Sequence, residues 1–203
     1  MPGPGYNVSS RPGRFSDCIR ERQRKAEAFS EPLDISYNCK SEYYRVIIRS
    51  WTTMELKELF NASNVNLDLE AQGKDEVLLE LINLLHLDEK AKEMLFKMLK
   101  KRENLGSTGI GKGFAIPHCR SLVVDKLNVA FARQRQGIDF NSIDDKPAHY
   151  FFLIVAPPVE ISNYYLPVLG KVAQFCKISD ITSRLDKLTK VEDFLKLLAD
   201  SGS

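Results

Sequence analysis

Apolar residues recur every three or four positions in two stretches of the chain, residues 74–85 and 88–101. This spacing predicts two helices, each with one buried face. Asp88 stands at the start of the second helix, where a carboxylate accepts hydrogen bonds from free amide groups, so it is the predicted N-cap. A two-residue period follows over residues 127–131, and residues 149–156 form a nearly continuous aromatic and β-branched run. The first pattern is typical of a half-buried strand and the second of a central strand.

Further elements complete an α/β domain that begins at Met54. The pattern predicts a short helix at residues 54–60, a strand at 65–69, and C-terminal helices at 163–176, 181–185 and 191–199. Pro157 and Pro158 end the central strand, because neither can donate a hydrogen bond to a neighbouring strand. The order of helices, strands and helices predicts one sheet enclosed by helices.

The first 53 residues differ from the rest in composition. They hold nine Lys and Arg against six Asp and Glu, and neither a short charged helix at 17–29 nor a β-prone run at 43–51 has a sustained apolar face. We expect residues 1–53 to be a basic, poorly ordered extension of a domain formed by residues 54–203. One alternative is a start codon read too early, with Met54 as the functional beginning. Another is a basic tail that contacts lipid or nucleic acid.

The overall composition excludes several classes of protein. The 203 residues carry a net charge of only +2, which argues against a broad basic surface for nucleic acid. No stretch approaches 18 consecutive apolar residues, and residues 1–24 lack the apolar core of a signal peptide. We therefore expect a cytoplasmic protein that is not embedded in a membrane. Four cysteines without a CxxC pair indicate reduced thiols rather than disulfides or a zinc ribbon.

The most informative stretch is the glycine-rich segment, residues 102–120, between the second helix and the first long strand. It holds four glycines in eight positions, and glycine lets other groups approach the backbone closely. Such a loop can turn its amides and the hydroxyls of Ser107 and Thr108 toward an anion. A nucleotide P-loop is excluded, because the GK pair at 111–112 is not followed by the Ser or Thr that binds magnesium.

His118 follows Ile116 and Pro117 at the end of this segment. Proline restricts its own backbone and that of the preceding residue, which fixes the direction in which the imidazole leaves the chain. A neutral imidazole can attack a phosphoryl group as a nucleophile. Hydrogen-bond donors must then surround the phosphoryl oxygens, and the nearest candidates are the two hydroxyls above, Arg102 and Arg120. Taken alone, His118 fits a hydrogen-bonded surface histidine without chemistry better than a nucleophile, and only the surrounding string reverses this preference.

At these residues the sequence resembles the fructose/mannitol-type enzyme IIA domains of the bacterial sugar phosphotransferase system, most closely their nitrogen-regulatory branch. The matching residues are Arg102-Glu103, Leu105-Gly-Ser-Thr-Gly-Ile-Gly, Gly113 and Ala115-Ile-Pro-His118. The resemblance covers residues 54 to about 199. It implies a mixed five-stranded sheet flanked by helices on both faces.

The resemblance also implies a chemistry. His118 would accept a phosphoryl group from HPr or its nitrogen-branch homologue, and Arg102 would steady the phosphate. Transport members pass the group to a cysteine of an enzyme IIB domain, whereas regulatory members dock target proteins. A phosphoryl shift between two imidazoles needs no metal or organic cofactor.

Two positions depart from the family pattern. Cys119 stands where members usually have glycine, so the backbone there must accept a side chain. Tyr165 replaces a second histidine that many members carry. A tyrosine can donate a hydrogen bond to phosphate but cannot share a proton with His118 near neutral pH. We therefore expect slower or differently tuned transfer, and a regulatory role rather than sugar uptake.

Other interpretations compete with this one. A non-transferring interaction or sensor domain on the same fold would use the loop only to bind an anion or a partner. A zinc site at His118, Cys119 and Cys176 is disfavoured, because adjacent ligands rarely close one tetrahedral site. His149 is expected to pack or to make a hydrogen bond at a strand end, and His86 to end a helix without chemistry.

Overall fold

A mixed six-stranded sheet forms the centre of the fold. The computed structural model describes residues 55–158 and 164–202, all within the unit Glu42–Ser203. Its strands are β1 Val65–Asn66, β2 Gly109–Gly111, β3 Phe114–Ala115, β4 His118–Arg120, β5 Asn128–Ile138 and β6 Ala148–Ala156. The spatial order is β1-β5-β6-β3-β2, and β4 also pairs with β6. Strands β5 and β6 are antiparallel, whereas β3 and β4 both run parallel to β6.

Five α-helices are present among the described residues. They are α1 Lys74–Asn83, α2 Glu89–Asn104, α3 Tyr165–Phe175, α4 Ile181–Asp186 and α5 Val191–Asp200. Two 3₁₀ turns, Leu56–Leu59 and Ala62–Asn64, precede β1. The predicted N-cap is confirmed, because the carboxylate of Asp88 accepts a hydrogen bond from the amide of Ala91 at 2.9 Å. Within 55–158 and 164–202, no helix is long and apolar enough to cross a membrane.

Side-chain alternation along β5 and β6 divides the core into two layers. Val129 and Phe131 point to one face of the sheet, and Ala130 and Ala132 point to the other. The first face packs against α3, α4 and α5, where the rings of Phe131 and Phe194 stack with centroids 4.1 Å apart. The second face packs against α1 and α2. Helices on both faces of a mixed sheet confirm the predicted fold class.

The sheet has six strands where five were expected, and the reason lies at Pro117. Strands β3 and β4 follow one another along the same edge of β6, and Ile116 and Pro117 separate them. Proline has no amide proton, so the backbone ladder is interrupted there. The carbonyl of Pro117 still accepts a hydrogen bond from the amide of Ile154 at 3.0 Å.

Two predicted strands differ in length from the observed ones. The first is shorter, since only Val65–Asn66 pairs with β5. The second is longer, because β5 continues to Ile138 beyond the predicted end at residue 131. Its continuation contains the polar pair Arg133 and Gln134, which are nevertheless buried. The predicted extension, residues 1–53, lies outside the described residues, so the domain boundary at Met54 stays a prediction. The cytoplasmic location also stays a prediction.

Arg133 is a charged side chain with only 1% of its surface exposed. Its Nε donates to the carbonyl of Leu67 at 2.9 Å, and its Nη1 donates to the carbonyls of Leu185 at 2.6 Å and Leu188 at 3.0 Å. A cation at the carboxyl end of α4 also complements the helix dipole. One guanidinium therefore joins β5 to the segment after β1 and to the end of α4.

We expect Arg133→Met to lower the free energy of unfolding by about 2–5 kcal/mol, because buried carbonyl groups that lose their donor cost about 1–3 kcal/mol each. Urea denaturation followed by circular dichroism measures this loss. Arg135→Met is the matched control, since Arg135 is 60% exposed and its Nε lies 2.8 Å from Asp68. An exposed ion pair contributes at most about 1 kcal/mol. Equal losses in the two variants would contradict a structural role for Arg133.

Candidate functional site

His118 is the first residue of β4, and its parallel pairing with β6 fixes its backbone. It lies opposite Ile154 in the register, and Arg120 lies opposite Ala156. Side chains alternate along a strand, so the half-buried His118 and Arg120 leave one face of the sheet. Cys119 between them is buried in the core on the other face. Because β4 is an extended strand, a side chain is accommodated at Cys119, where the family pattern has glycine.

The two ring nitrogens of His118 have different partners. Nδ1 lies 2.7 Å from the carbonyl oxygen of Ile116, and a carbonyl can only accept, so Nδ1 carries the proton. Nε2 therefore has the free lone pair, to which Nε of Arg102 donates at 3.2 Å. This arrangement selects one tautomer and points its nucleophilic nitrogen at a guanidinium.

The surroundings of His118 favour its neutral form. Burial lowers the pKa of the imidazole, and the hydrogen bond to Ile116 partly opposes this. The positive charge of Arg102 lowers the pKa further, and the negative charge of Glu103 raises it by less, so that the pKa stays below its usual value. The ring is consequently uncharged at neutral pH, which is the state that can attack an electrophile.

Arg102 lies in the last turn of α2 and is held by two contacts. Besides its bond to His118, its Nη1 donates to the carbonyl of Gly106 at 2.9 Å. Gly106 has a φ of 148°, a conformation that side chains rarely adopt, and this turns its carbonyl back toward the helix end. The structure thus brings the two predicted site residues, Arg102 and His118, into direct contact.

Tyr165 lies beside His118. It is the first residue of α3, and its ring centroid lies 6.4 Å from that of the imidazole. The guanidinium carbon of Arg120 lies 4.6 Å from the Tyr165 ring centroid. Burial raises the pKa of the Tyr165 phenol, so the hydroxyl keeps its proton at neutral pH and can donate it in a hydrogen bond.

Ser107 and Thr108, the predicted hydroxyl donors, are engaged elsewhere. The Ser107 hydroxyl donates to the carbonyl of Phe140 at 2.7 Å and accepts from the amide of Gly109 at 3.0 Å. The amide and hydroxyl of Thr108 donate to the carboxylate of Glu103 at 3.0 and 2.6 Å. These bonds stabilise the glycine-rich segment itself, and a role of the two hydroxyls toward phosphate stays a prediction.

Glu103 is a site residue to which the sequence assigned no role. Its buried carboxylate accepts from Thr108 and lies 2.8 Å from Nζ of Lys74 on α1. Burial raises the pKa of Glu103, but the hydrogen bonds from Lys74 and Thr108 and the charge of Lys74 outweigh it and hold the pKa below 4.5. Its position next to Arg102 in the matching string was the available signal. Of these two adjacent residues of α2, Arg102 donates to His118 and Glu103 accepts from the glycine-rich segment.

The two cysteines that the structure describes are separated from each other by the sheet. Cys119 and Cys176 lie in core clusters on opposite faces of the sheet, and burial raises the pKa of each thiol to about 12. Nδ1 of His149 lies 3.2 Å from the carbonyl of Gln134, consistent with the expected packing role. In the described part of the chain, no three His, Cys, Asp or Glu residues could hold a metal ion together.

Comparison with known proteins gives consistent matches. Residues 58–201 match the family model described as the phosphoenolpyruvate-dependent sugar phosphotransferase system, EIIA 2. The fructose-specific EIIABC component of Bacillus subtilis (strain 168) is 31% identical over 134 residues, which cover 65% of this chain and 21% of that protein. The chain therefore spans about a fifth of the length of that relative.

Solved structures resemble the chain as well. The crystal structure of nitrogen regulatory protein IIA-Ntr from Neisseria meningitidis is 31% identical, with a TM-score of 0.64 over 70% of this chain and 98% of that one. Enzyme IIAMTL of Escherichia coli, in complex with phosphorylated enzyme IIBMTL, is 23% identical, with a TM-score of 0.58 over 70% and 97% of the chains. At that identity the second likeness shows the fold alone.

We expect Glu103→Gln to be less stable than the wild type by about 1–3 kcal/mol at pH 7, because a buried charge-assisted network is broken. The pKa of Glu103 is lower in the folded state, so its contribution is present above about pH 4.5 and is lost as the pH falls through the folded value. The difference between variant and wild type should therefore shrink on acidification. Urea unfolding at pH 7 and at pH 4 measures this.

Glu89→Gln is the control for this prediction, since Glu89 pairs with Lys92 on the exposed start of α2 at 2.7 Å. Its loss should cost at most about 1 kcal/mol. A Glu103→Gln deficit that stays constant between the two pH values would show that the carboxylate charge is not responsible.

Proposed function

Because the chain belongs to the type 2 EIIA family of the phosphoenolpyruvate-dependent sugar phosphotransferase system, it is a phosphotransferase component, and we propose that it carries phosphate on Nε2 of His118. The membership and the relatives agree with the resemblance read from the glycine-rich segment. The single observation that carries the proposal is the pair of bonds at the His118 ring. Nδ1 donates to Ile116, and Nε2 faces Arg102 with its lone pair.

Phosphoryl transfer to His118 requires only a small rearrangement of side chains. The Nε2 lone pair forms a new P–N bond while the P–N bond of the donor phosphohistidine breaks and its electron pair returns to the donor nitrogen. Arg102 turns from the ring nitrogen to the phosphoryl oxygens, where charge develops, and its contact with Gly106 keeps it close by. The hydroxyl of Tyr165 supplies a further hydrogen-bond donor beside the ring.

Three exposed leucines that follow elements of the site in the chain support docking of a protein donor. Leu105 is 81% exposed and ends α2, Leu122 is 86% exposed and follows β4, and Leu166 is 68% exposed and follows Tyr165. We name these three residues the leucine rim. Large apolar side chains grouped around a polar centre are typical of a surface that another protein covers. We propose HPr or its nitrogen-branch homologue as the donor that docks here.

The relatives point to an acceptor for the phosphoryl group. One relative unites EIIA, EIIB and EIIC in a single component, and one neighbouring structure is a complex with phosphorylated enzyme IIB. We therefore name an enzyme IIB cysteine as one candidate acceptor of the phosphoryl group on His118. We favour a regulatory output, in which target proteins distinguish the two phosphorylation states, because Tyr165 gives the site no second imidazole for rapid proton sharing. Phosphorylation adds close to two negative charges, which suffices to change docking.

We expect incubation with phosphoenolpyruvate, enzyme I and HPr, or the nitrogen-branch donors, to label the protein in an acid-labile and base-stable form. His118→Ala should abolish the label, because the accepting nitrogen is removed. His149→Ala is the matched control and should be labelled like the wild type. Gel electrophoresis measures the radioactive phosphate that is bound to each variant. An unlabelled wild type that still binds a partner, with unchanged affinity in His118→Ala, would select the non-transferring alternative instead.

Charge placed on the leucine rim should weaken donor docking. We expect Leu122→Asp and Leu166→Asp each to raise the KM for the phosphorylated donor roughly tenfold, because an apolar contact is replaced by a desolvated charge. Steady-state phosphorylation kinetics measure this, and the melting temperature should change little. Leu79→Asp on α1 is the control, since Leu79 is 44% exposed but lies outside the rim. An equal KM increase in all three variants would rule out the rim as the docking surface.

A further inference from the structure

We propose that Arg120 is a second guanidinium for the phosphoryl group on His118, and that the Tyr165 ring holds it ready beside the site. The inference rests on the proposed function, since it concerns the same phosphoryl group. It adds a binding residue whose side chain contacts neither ring nitrogen of His118 in the structure.

The strand geometry places Arg120 on the correct side. His118 and Arg120 are two positions apart on β4, so their side chains leave the same face with Cα atoms about 7 Å apart. Cys119 between them points into the core. Arg102 approaches the imidazole from the end of α2, and Tyr165 lies beside both β4 residues. The phosphoryl group would therefore sit between two arginines that come from different elements.

Among the described residues, the partners of Arg120 are uncharged. Its Nη1 donates to the carbonyls of Pro157 at 3.0 Å and Pro158 at 3.3 Å, just after β6. Its guanidinium lies over the Tyr165 ring at 4.6 Å. Within the described ranges, no carboxylate is within ion-pair distance of it. A half-buried cation whose described partners are all neutral is available to a dianion, and hydrogen bonds to an anion are about twice as strong as those to neutral carbonyls.

Tyr165 lies close to both His118 and Arg120. Its ring centroid lies 6.4 Å from that of the imidazole and 4.6 Å from the guanidinium carbon of Arg120. An aromatic face attracts a guanidinium without neutralising it, so the charge stays available. Burial raises the pKa of the Tyr165 phenol, and the positive charges of Arg120 and Arg102 both act against this rise. The phenol is thus close enough to both arginines to respond to their charge.

On phosphorylation, Arg120 would exchange the carbonyls of Pro157 and Pro158 for phosphoryl oxygens. Its long side chain carries several donors in a planar fork, which fits two oxygens of one phosphate. No covalent bond forms or breaks in this movement. Arg102 and Arg120 together would balance the two negative charges that transfer brings. The phosphorylated form would then be favoured at equilibrium with the donor and would lose its phosphate slowly.

The test compares the wild type with Arg120→Gln and Arg120→Lys. The phosphorylated fraction is measured at equilibrium with the phosphorylated donor, together with the rate at which isolated phosphoprotein loses phosphate. We expect Arg120→Gln to shift the equilibrium toward the donor and to shorten the phosphoprotein lifetime, each roughly tenfold. Arg120→Lys should recover part of both effects, since it restores charge but not the fork. Lys177→Gln beyond the far end of α3 controls for net charge.

A second measurement separates binding from a structural role. In wild-type protein, the Arg120 Nε–H signal in ¹H–¹⁵N spectra should shift on phosphorylation, whereas the Arg184 signal should not. An unshifted Arg120 signal would overturn the proposal, as would Arg120→Gln values equal to those of the wild type. This spectrum also decides the question if Arg120→Gln fails to fold. Absence of labelling in the wild type would instead overturn the proposed function, and this inference with it.

Discussion

The hydrogen bond between Nδ1 of His118 and the carbonyl of Ile116 is the constraint on which the site depends. It holds the proton on the inner nitrogen and leaves the outer one with its lone pair. The carbonyl is itself fixed, since Ile116 is buried and its amide donates to the carbonyl of Thr108 at 3.0 Å. The tautomer is thus imposed by backbone, which a side-chain substitution nearby cannot easily change.

Two adjacent residues of opposite charge at the end of α2 have different roles. Arg102 turns toward His118, while the next residue, Glu103, turns inward to Thr108 and Lys74. The carboxylate of Glu103 is therefore paired with Lys74, and the guanidinium of Arg102 faces the reactive nitrogen. This separation matters because a carboxylate beside Nε2 would repel an incoming phosphoryl group. Rigid support behind a charged group also lowers the cost of reorganising it during transfer.

The sequence predicted those features whose cause is local. The apolar stripes of α1 and α2, the cap at Asp88 and the central strand β6 follow from spacing alone. The pairing of Arg102 with His118 followed from the family pattern. The full length of β5 could not be predicted, because Arg133 is buried only by virtue of carbonyl partners distant in sequence. The partners of Ser107 and Glu103, Phe140 and Lys74, are equally distant and were missed for the same reason.

The site draws its residues from α2, β4 and α3, which meet only when the sheet is complete. Bringing segments so far apart along the chain together requires loop closures that a folding polypeptide makes late. In an incompletely folded chain, His118 would lack its contacts with Arg102 and Tyr165. The arrangement of side chains around His118 that the proposed transfer requires is therefore a property of the folded domain and not of any single segment.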